Sequence, residues 1–281
     1  MTELKTKTLV GKIGYTNCLP FYHGLEKACD YTIGFHETFP SKINLAMRLA
    51  KIDLAPVSSL EYLNHQKKYV LLPDFVIGSR DFSGSVLLFS RSKIEKLNQA
   101  KIALSRESLS SAALLRILLK FKFKFENRFV SMDSDPDRML AKADAALVIG
   151  DSALFHKPEE FVYKYDLSEL WWNWTGKPFC FAVWAVRREF AETRAGEVSA
   201  FCRTLRRNLD ANLVDIEKLL KESLGLGFMD ARFSKIFGYL FNLSYGMDPS
   251  MREGLELFYR FANRLGISPR LKNLEFFNEP S

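Results

Sequence analysis

Amide and hydroxyl side chains recur in this chain just where short apolar runs stop, a spacing that suits the binding of a small anion. Asn17 follows the run LVGKIGY (9–15), and Ser58 and Ser59 close IDLAPVSS (52–59). Gly84 and Ser85 open GSVLLFS (84–90), while Ser108, Ser110 and Ser111 stand where KIALS (101–105) gives way to a helical pattern. Gly150 and Asp151 follow AALVI (145–149). The N–H groups at a helix start carry partial positive charge and attract carboxylates or phosphates. Taken singly, each serine is also an ordinary helix cap. Several such loops converging on one cleft rim favour the anion site, because ligands of open α/β sheets bind beyond the carboxyl ends of strands.

Other chemistries lack their residues. No GxGxxG follows a strand pattern, and neither GxxxxGK[ST] nor GxSxG occurs, which argues against hydride transfer, phosphoryl transfer and serine hydrolysis. DSDPD (133–137) lacks the turn glycine of a calcium loop and holds Pro136, so it reads as a solvated acidic turn. Cys18, Cys29, Cys180 and Cys202 form no CxxC pair and read as small core residues. His23, His36, His65 and His156 are scattered, with none at the i, i+4 spacing of a helical zinc site, and no metal is expected.

The elements that must position these residues alternate. Strand patterns at 9–15, 31–35 and 52–59 are separated by a short helix over Pro20–Lys27 and by a helix running to Leu49 with Ser41 as its cap. The runs 69–78, 85–90, 101–105, 129–132, 144–149 and 179–187 are further strands, with helices over 108–121 and near 136–142. Such alternation predicts an α/β fold with mainly parallel sheet. KFKFKFE (120–126) alternates strictly and reads as a half-buried edge strand guarded by lysines. Beyond Glu189 the pattern is helical without a convincing strand, and this tail is expected to return onto the first lobe. The simplest architecture is two lobes joined by two crossings, near Phe89–Ser92 and Phe181–Trp184. Residues 1–90 with 185–281 then form one lobe, 91–184 the other, and the ligand cleft lies between them.

The formal charge of +7 is compatible with nucleic acid, an acidic membrane or an anionic small molecule. The positive residues are spread along the chain, so nucleic acid rests on net charge alone and is not expected. The first fifteen residues show no signal-peptide pattern. No window approaches the ~18 apolar residues of a membrane span. A cytoplasmic protein without membrane insertion is expected.

Six strings in fixed order carry a family resemblance: YTNCLPFYHGLE (15–26), IDLAPVSSLEY (52–62), GSVLLFS (84–90), LSRESLSSAALLRILL (104–119), AALVIGDSAL (145–154) and YDLSELWWNWTGKPFCFAVWAVR (165–187). Together they resemble the MqnA family, the chorismate dehydratases of the futalosine route to menaquinone. The last string is the most distinctive. The first loop lacks the SPCPNDTF-like motif of the sister dihydroxynaphthoate synthases and carries Tyr15-Thr16-Asn17-Cys18-Leu19-Pro20 instead. Ser152 and Ser168 stand where the family usually has a larger, often basic residue and a glycine.

The resemblance implies a two-lobed fold of the second periplasmic-binding-protein type, working in the cytoplasm with a helical C-terminal segment. It implies elimination of water from the dianion chorismate to give 3-[(1-carboxyvinyl)oxy]benzoate without metal or organic cofactor. On that basis Asn17 is expected to hydrogen-bond the departing hydroxyl, with Ser85 beside it as the second residue of the chemistry. Ser58, Ser59, Gly84, Ser108, Ser110, Ser111 and Asp151 are expected to contact substrate, serine hydroxyls and backbone N–H groups holding the carboxylates. The motifs offer no evident His or Glu base. A substrate carboxylate is therefore the expected proton acceptor, with Asp151 as rival. A non-catalytic binding protein or sensor for an aromatic acid is the alternative, since fold alone does not fix function. Oligomeric state is not legible.

Overall fold

The computed structural model of the protein describes residues 7–157 and 163–278. Its strands, in chain order, are β1 (Thr8–Lys12), β2 (Ile33–Glu37), β3 (Leu54–Ser58), β4 (Tyr69–Ser79), β5 (Val86–Ser90) and β6 (Lys101–Ser105). There follow β7 (Arg128–Met132), β8 (Ala145–Ile149), β9 (Tyr163–Asp166), β10 (Phe179–Arg187) and β11 (Leu243–Ser244). They form a six-stranded sheet of order β11-β4-β10-β3-β1-β2 and a five-stranded sheet of order β7-β6-β8-β5-β9.

Both sheets are mixed, which corrects the expectation of mainly parallel pairing. β1 is parallel to β2 and β3, and β6 is parallel to β7 and β8. β10 is antiparallel to β3 and β4, as β5 is to β8 and β9. The physical reason is topological. A strand that arrives from the other sheet comes in from the opposite end, so it runs against its new neighbours.

The crossings lie earlier than expected. β5, placed within 1–90 of the first lobe, pairs with β8 and β9 of the second sheet, so the chain crosses between Ser79 and Val86. β10 joins the first sheet from Phe179 onward, so the return lies between Asp166 and Phe179, ahead of residue 184. An all-apolar run such as VLLFS fits either sheet, and only tertiary pairing decides between them.

Other local expectations also change. Phe39, not Ser41, caps the helix Pro40–Arg48, because Pro40 with its fixed φ suits the first turn. The helix expected over 20–27 is two short ones, Leu19–Tyr22 and Leu25–Ala28, parted at Gly24 with φ +76°. KFKFKFE is not a strand. Helix Leu109–Ile117 continues through a π-helical turn over Leu118–Lys122, since Leu118 and Leu119 extend its buried face.

The helical tail packs on the first sheet and, through Phe261, also on Trp171 and Trp174. Trp184 of β10 is fully buried and meets Phe201 of helix Ala195–Val214 at 5.8 Å and Phe21 at 5.3 Å between ring centroids. Helix Pro249–Arg264 closes over the second crossing. Its Phe258 packs on Phe179 at 4.9 Å, and a Cβ at Gly254 would lie 2.1 Å from the Pro178 carbonyl oxygen, so only glycine permits this approach. The sheet edge also takes up β11, a two-residue strand that the helical pattern hid.

Candidate active site

The carboxyl ends of β1, β3, β6 and β8 meet the start of β5 around one cleft of about 670 Å³, mouth included. Ile13, Ile77, Val86, Ile149, Phe181 and Leu243 give the cleft an apolar lining. Of the residues expected from sequence, Asn17, Ser58, Ser85, Ser108, Ser110 and Ser111 line it. Among the described residues no lysine or arginine does.

Hydrogen-bond bookkeeping separates groups that are free to meet a ligand from groups already committed. Ser58 caps helix Ser59–Asn64, its Oγ accepting from Glu61 N and Asn44 Nδ2, each at 3.2 Å, so its own hydrogen is unspent. Ser108 caps helix Leu109–Ile117 by accepting from Ser111 N at 3.1 Å and likewise keeps its hydrogen. Asn17 Oδ1 accepts from the Cys18 thiol at 3.2 Å, and among the described residues its Nδ2 has no protein acceptor. The N-terminal end of helix Leu109–Ile117 adds partial positive charge at the wall.

Ser59, Gly84 and Asp151 do not line the cleft, contrary to expectation. Ser59 Oγ donates to the Cys180 carbonyl at 2.8 Å. In its 2.9 Å contact with Ser110 Oγ it must therefore accept, and Ser110 spends its hydrogen there. Ser110 reaches the cleft wall with a committed hydroxyl. Gly84, at φ +70°, donates its N–H to Asp166 Oδ2 at 2.7 Å, and the same oxygen accepts from Ser83 N and Oγ. Asp151 Oδ1 accepts from Thr16 N at 3.3 Å across the cleft rim. Burial pushes the Asp151 carboxyl above its ordinary value, with the Thr16 hydrogen bonds opposing.

The structure adds residues that sequence reasoning missed. Tyr15 and Glu107 line the cleft from opposite sheets, the Tyr15 hydroxyl donating to Glu107 Oε2. Burial, with Glu107 alongside, pushes the Tyr15 phenol far up, and burial does the same to the Cys18 thiol, so both stay protonated. Asp166 organises the turn ahead of Ser85. From the tail, Tyr239 donates to Ser85 Oγ at 2.8 Å and Tyr245 to the Asn17 carbonyl at 3.1 Å. Tyr15 and Glu107 sit inside two of the quoted strings, two residues from Asn17 and one from Ser108. Nothing in the helical pattern of the tail marks its tyrosines.

Comparison with known proteins agrees with this geometry. Residues 8–264 match the family described as menaquinone biosynthesis. A chorismate dehydratase of Thermus thermophilus is 31% identical, the match covering 92% of this chain and 95% of that protein. Among solved structures, a protein of Archaeoglobus fulgidus superposes with a TM-score of 0.74 at 18% identity, covering 93% of this chain and 98% of that one. The periplasmic aliphatic sulphonate-binding protein of Escherichia coli superposes with a TM-score of 0.62 at 15% identity over 94% of each chain. The fold is thus of the periplasmic-binding-protein kind.

Proposed function

We propose, from the premise that this chain belongs to the menaquinone-biosynthesis family, that it is a chorismate dehydratase. It eliminates water from chorismate to give 3-[(1-carboxyvinyl)oxy]benzoate, a hydro-lyase reaction of the cytoplasm that involves neither nucleic acid nor membrane insertion. No described helix is long and apolar enough to cross a membrane. The observation that carries the reading at the site is the set of uncommitted donors on Asn17, Ser58 and Ser108 around an apolar slot that, among the described residues, has no lysine or arginine.

The chemistry demands little machinery. A ring C–H proton passes to a substrate carboxylate and from there to the departing ring hydroxyl, so that one water is lost stepwise, and the ring becomes aromatic, which supplies the driving force. Asn17 Nδ2 donates to the departing oxygen, and Ser85 donates beside it. Ser58, Ser108 and Ser111, with the helix start at Leu109, hold the two carboxylates. Preorganised donors of this kind contribute about 3 kcal/mol each where charge develops. Asn17 cannot take the proton, because its amide does not titrate near neutrality. Asp151 stands behind the wall with one oxygen on Thr16, and Glu107 on the wall is engaged by the Tyr15 hydroxyl, so this reading keeps a substrate carboxylate as the acceptor. Ser59, Gly84 and Ser110 act by holding the wall together.

The test is incubation with chorismate, without added cofactor, followed by mass detection. Loss of one water by the wild type, reduced roughly 100-fold or more in Asn17→Ala, is expected. Tight binding of chorismate without turnover would instead establish the binding-protein alternative.

A further inference from the structure

Ser85 lies at the first crossing, 3% exposed, with its side chain on the cleft wall. Its carbonyl accepts from Gly150 N at 2.8 Å, which fixes the backbone. Among the described residues Tyr239 is the one hydrogen-bond partner of Ser85 Oγ, at 2.8 Å. A serine hydroxyl has one hydrogen and two acceptor lone pairs. With a lone pair taken by the phenol, the serine hydrogen finds no protein acceptor and has the cleft to point into. We propose that Tyr239 is a positioning residue that makes Ser85 a one-way donor to the ligand in the cleft. The inference rests on the reading of Ser85 given above and extends the site to the helical tail.

Three features support the assignment. The phenol is held rigidly. Tyr239 sits on helix Ala231–Asn242 among buried Phe233, Ile236 and Leu240, and the helix runs directly into β11 at the edge of the first sheet. The direction of the bond is fixed too. Among the described residues the buried Tyr239 hydroxyl has no acceptor other than Ser85 Oγ, so its hydrogen goes there. Donation into Ser85 also polarises the serine O–H and strengthens it as a donor in a site of low dielectric. The turn before Ser85 is held independently by Asp166, which leaves Tyr239 with the hydroxyl orientation rather than the backbone.

The experiment is a double-mutant cycle on turnover of chorismate by the full chain, comparing wild type, Tyr239→Phe, Ser85→Ala and the double variant. Tyr239→Phe keeps the buried ring and removes only the hydroxyl. It is expected to lower kcat roughly 10-fold, with KM and Tm little changed. In the Ser85→Ala background the same substitution should have no further effect, because a residue acting only through Ser85 has nothing left to orient. A merely structural role would move Tm and leave the two losses multiplying. Multiplying losses, or wild-type kcat in Tyr239→Phe while Ser85→Ala is impaired, would overturn the inference alone. Full turnover in Ser85→Ala would instead overturn the role given to Ser85. The cycle is run in parallel on the chorismate dissociation constant by calorimetry, so a protein that binds without turnover still reports the coupling. Absence of both binding and turnover would remove the proposed function and this inference with it.

Discussion

Two sets of hydrogen bonds that join the two halves beside the cleft are built in opposite ways. Beside the return crossing, Ser110 Oγ accepts from Leu60 N at 3.1 Å and donates to Ser59, whose hydroxyl ends on Cys180. Ser59 is 0% exposed and Ser110 2%. At the rim, Tyr15 reaches Glu107 and Thr16 reaches Asp151, with both carboxylates partly open to solvent. The first contact is small, neutral and dry, and water cannot replace its partners without entering the core. The rim contacts are carried by carboxylates that lie partly open to solvent. In the terms of a hinged fold that closes around a ligand, the serine pair is the candidate pivot and the rim pair the candidate latch.

The largest effect that would break this comparison is expected at the pivot. Ser110→Ala strands the Leu60 N–H and removes the hydrogen that Ser59 accepts. An unsatisfied buried donor costs about 1–3 kcal/mol. Denaturant unfolding should show that loss with an unchanged m-value. A loss below about 0.5 kcal/mol would mean that water reaches the serine pair, and the pivot would be no drier than the latch.

Gly150→Ala probes the latch with a smaller effect on stability. Gly150 has φ +64°, and an added Cβ would lie 2.9 Å from Tyr15 Cε2. The left-handed backbone alone costs about 1 kcal/mol for alanine. The ring contact pushes Tyr15 away from Glu107, so the KM for chorismate should rise several-fold while kcat changes less. Unchanged KM with lowered Tm would show that Tyr15 yields without disturbing closure.

What the sequence makes legible follows the same line between local and distant forces. The alternation of strand and helix, and Ser108 and Ser58 as caps, depend on neighbours three residues away. The six residues on the cleft wall were legible because strand ends are local signals. β9, with the sequence YKYD, alternates over only four residues, too few to mark a strand, and exists through its pairing with β5, some seventy positions earlier. The commitment of Ser59 and Gly84 was hidden because their partners, Cys180 and Asp166, lie far along the chain. Tyr239 is 154 positions from Ser85, and its meaning appears only once the tail has folded back.

The smallest expected effect sharpens the comparison most. Burial raises the Asp151 carboxyl above the ordinary aspartate range, while Thr16 opposes. A group whose pKa is raised on folding holds its proton more readily in the folded state. Its contribution to stability is complete below the unfolded pKa of about 3.9 and is lost as pH rises through the folded value. Asp151→Asn removes this dependence. The Tm of the wild type relative to the variant should therefore be highest near about pH 4 and decline toward about pH 7. The opposite trend, with the wild type gaining as pH rises, would mean that the Thr16 N–H stabilises the charge more than burial opposes it. The rim would then be held by a charge-assisted bond, and the latch would be as permanent as the serine pair across the cleft.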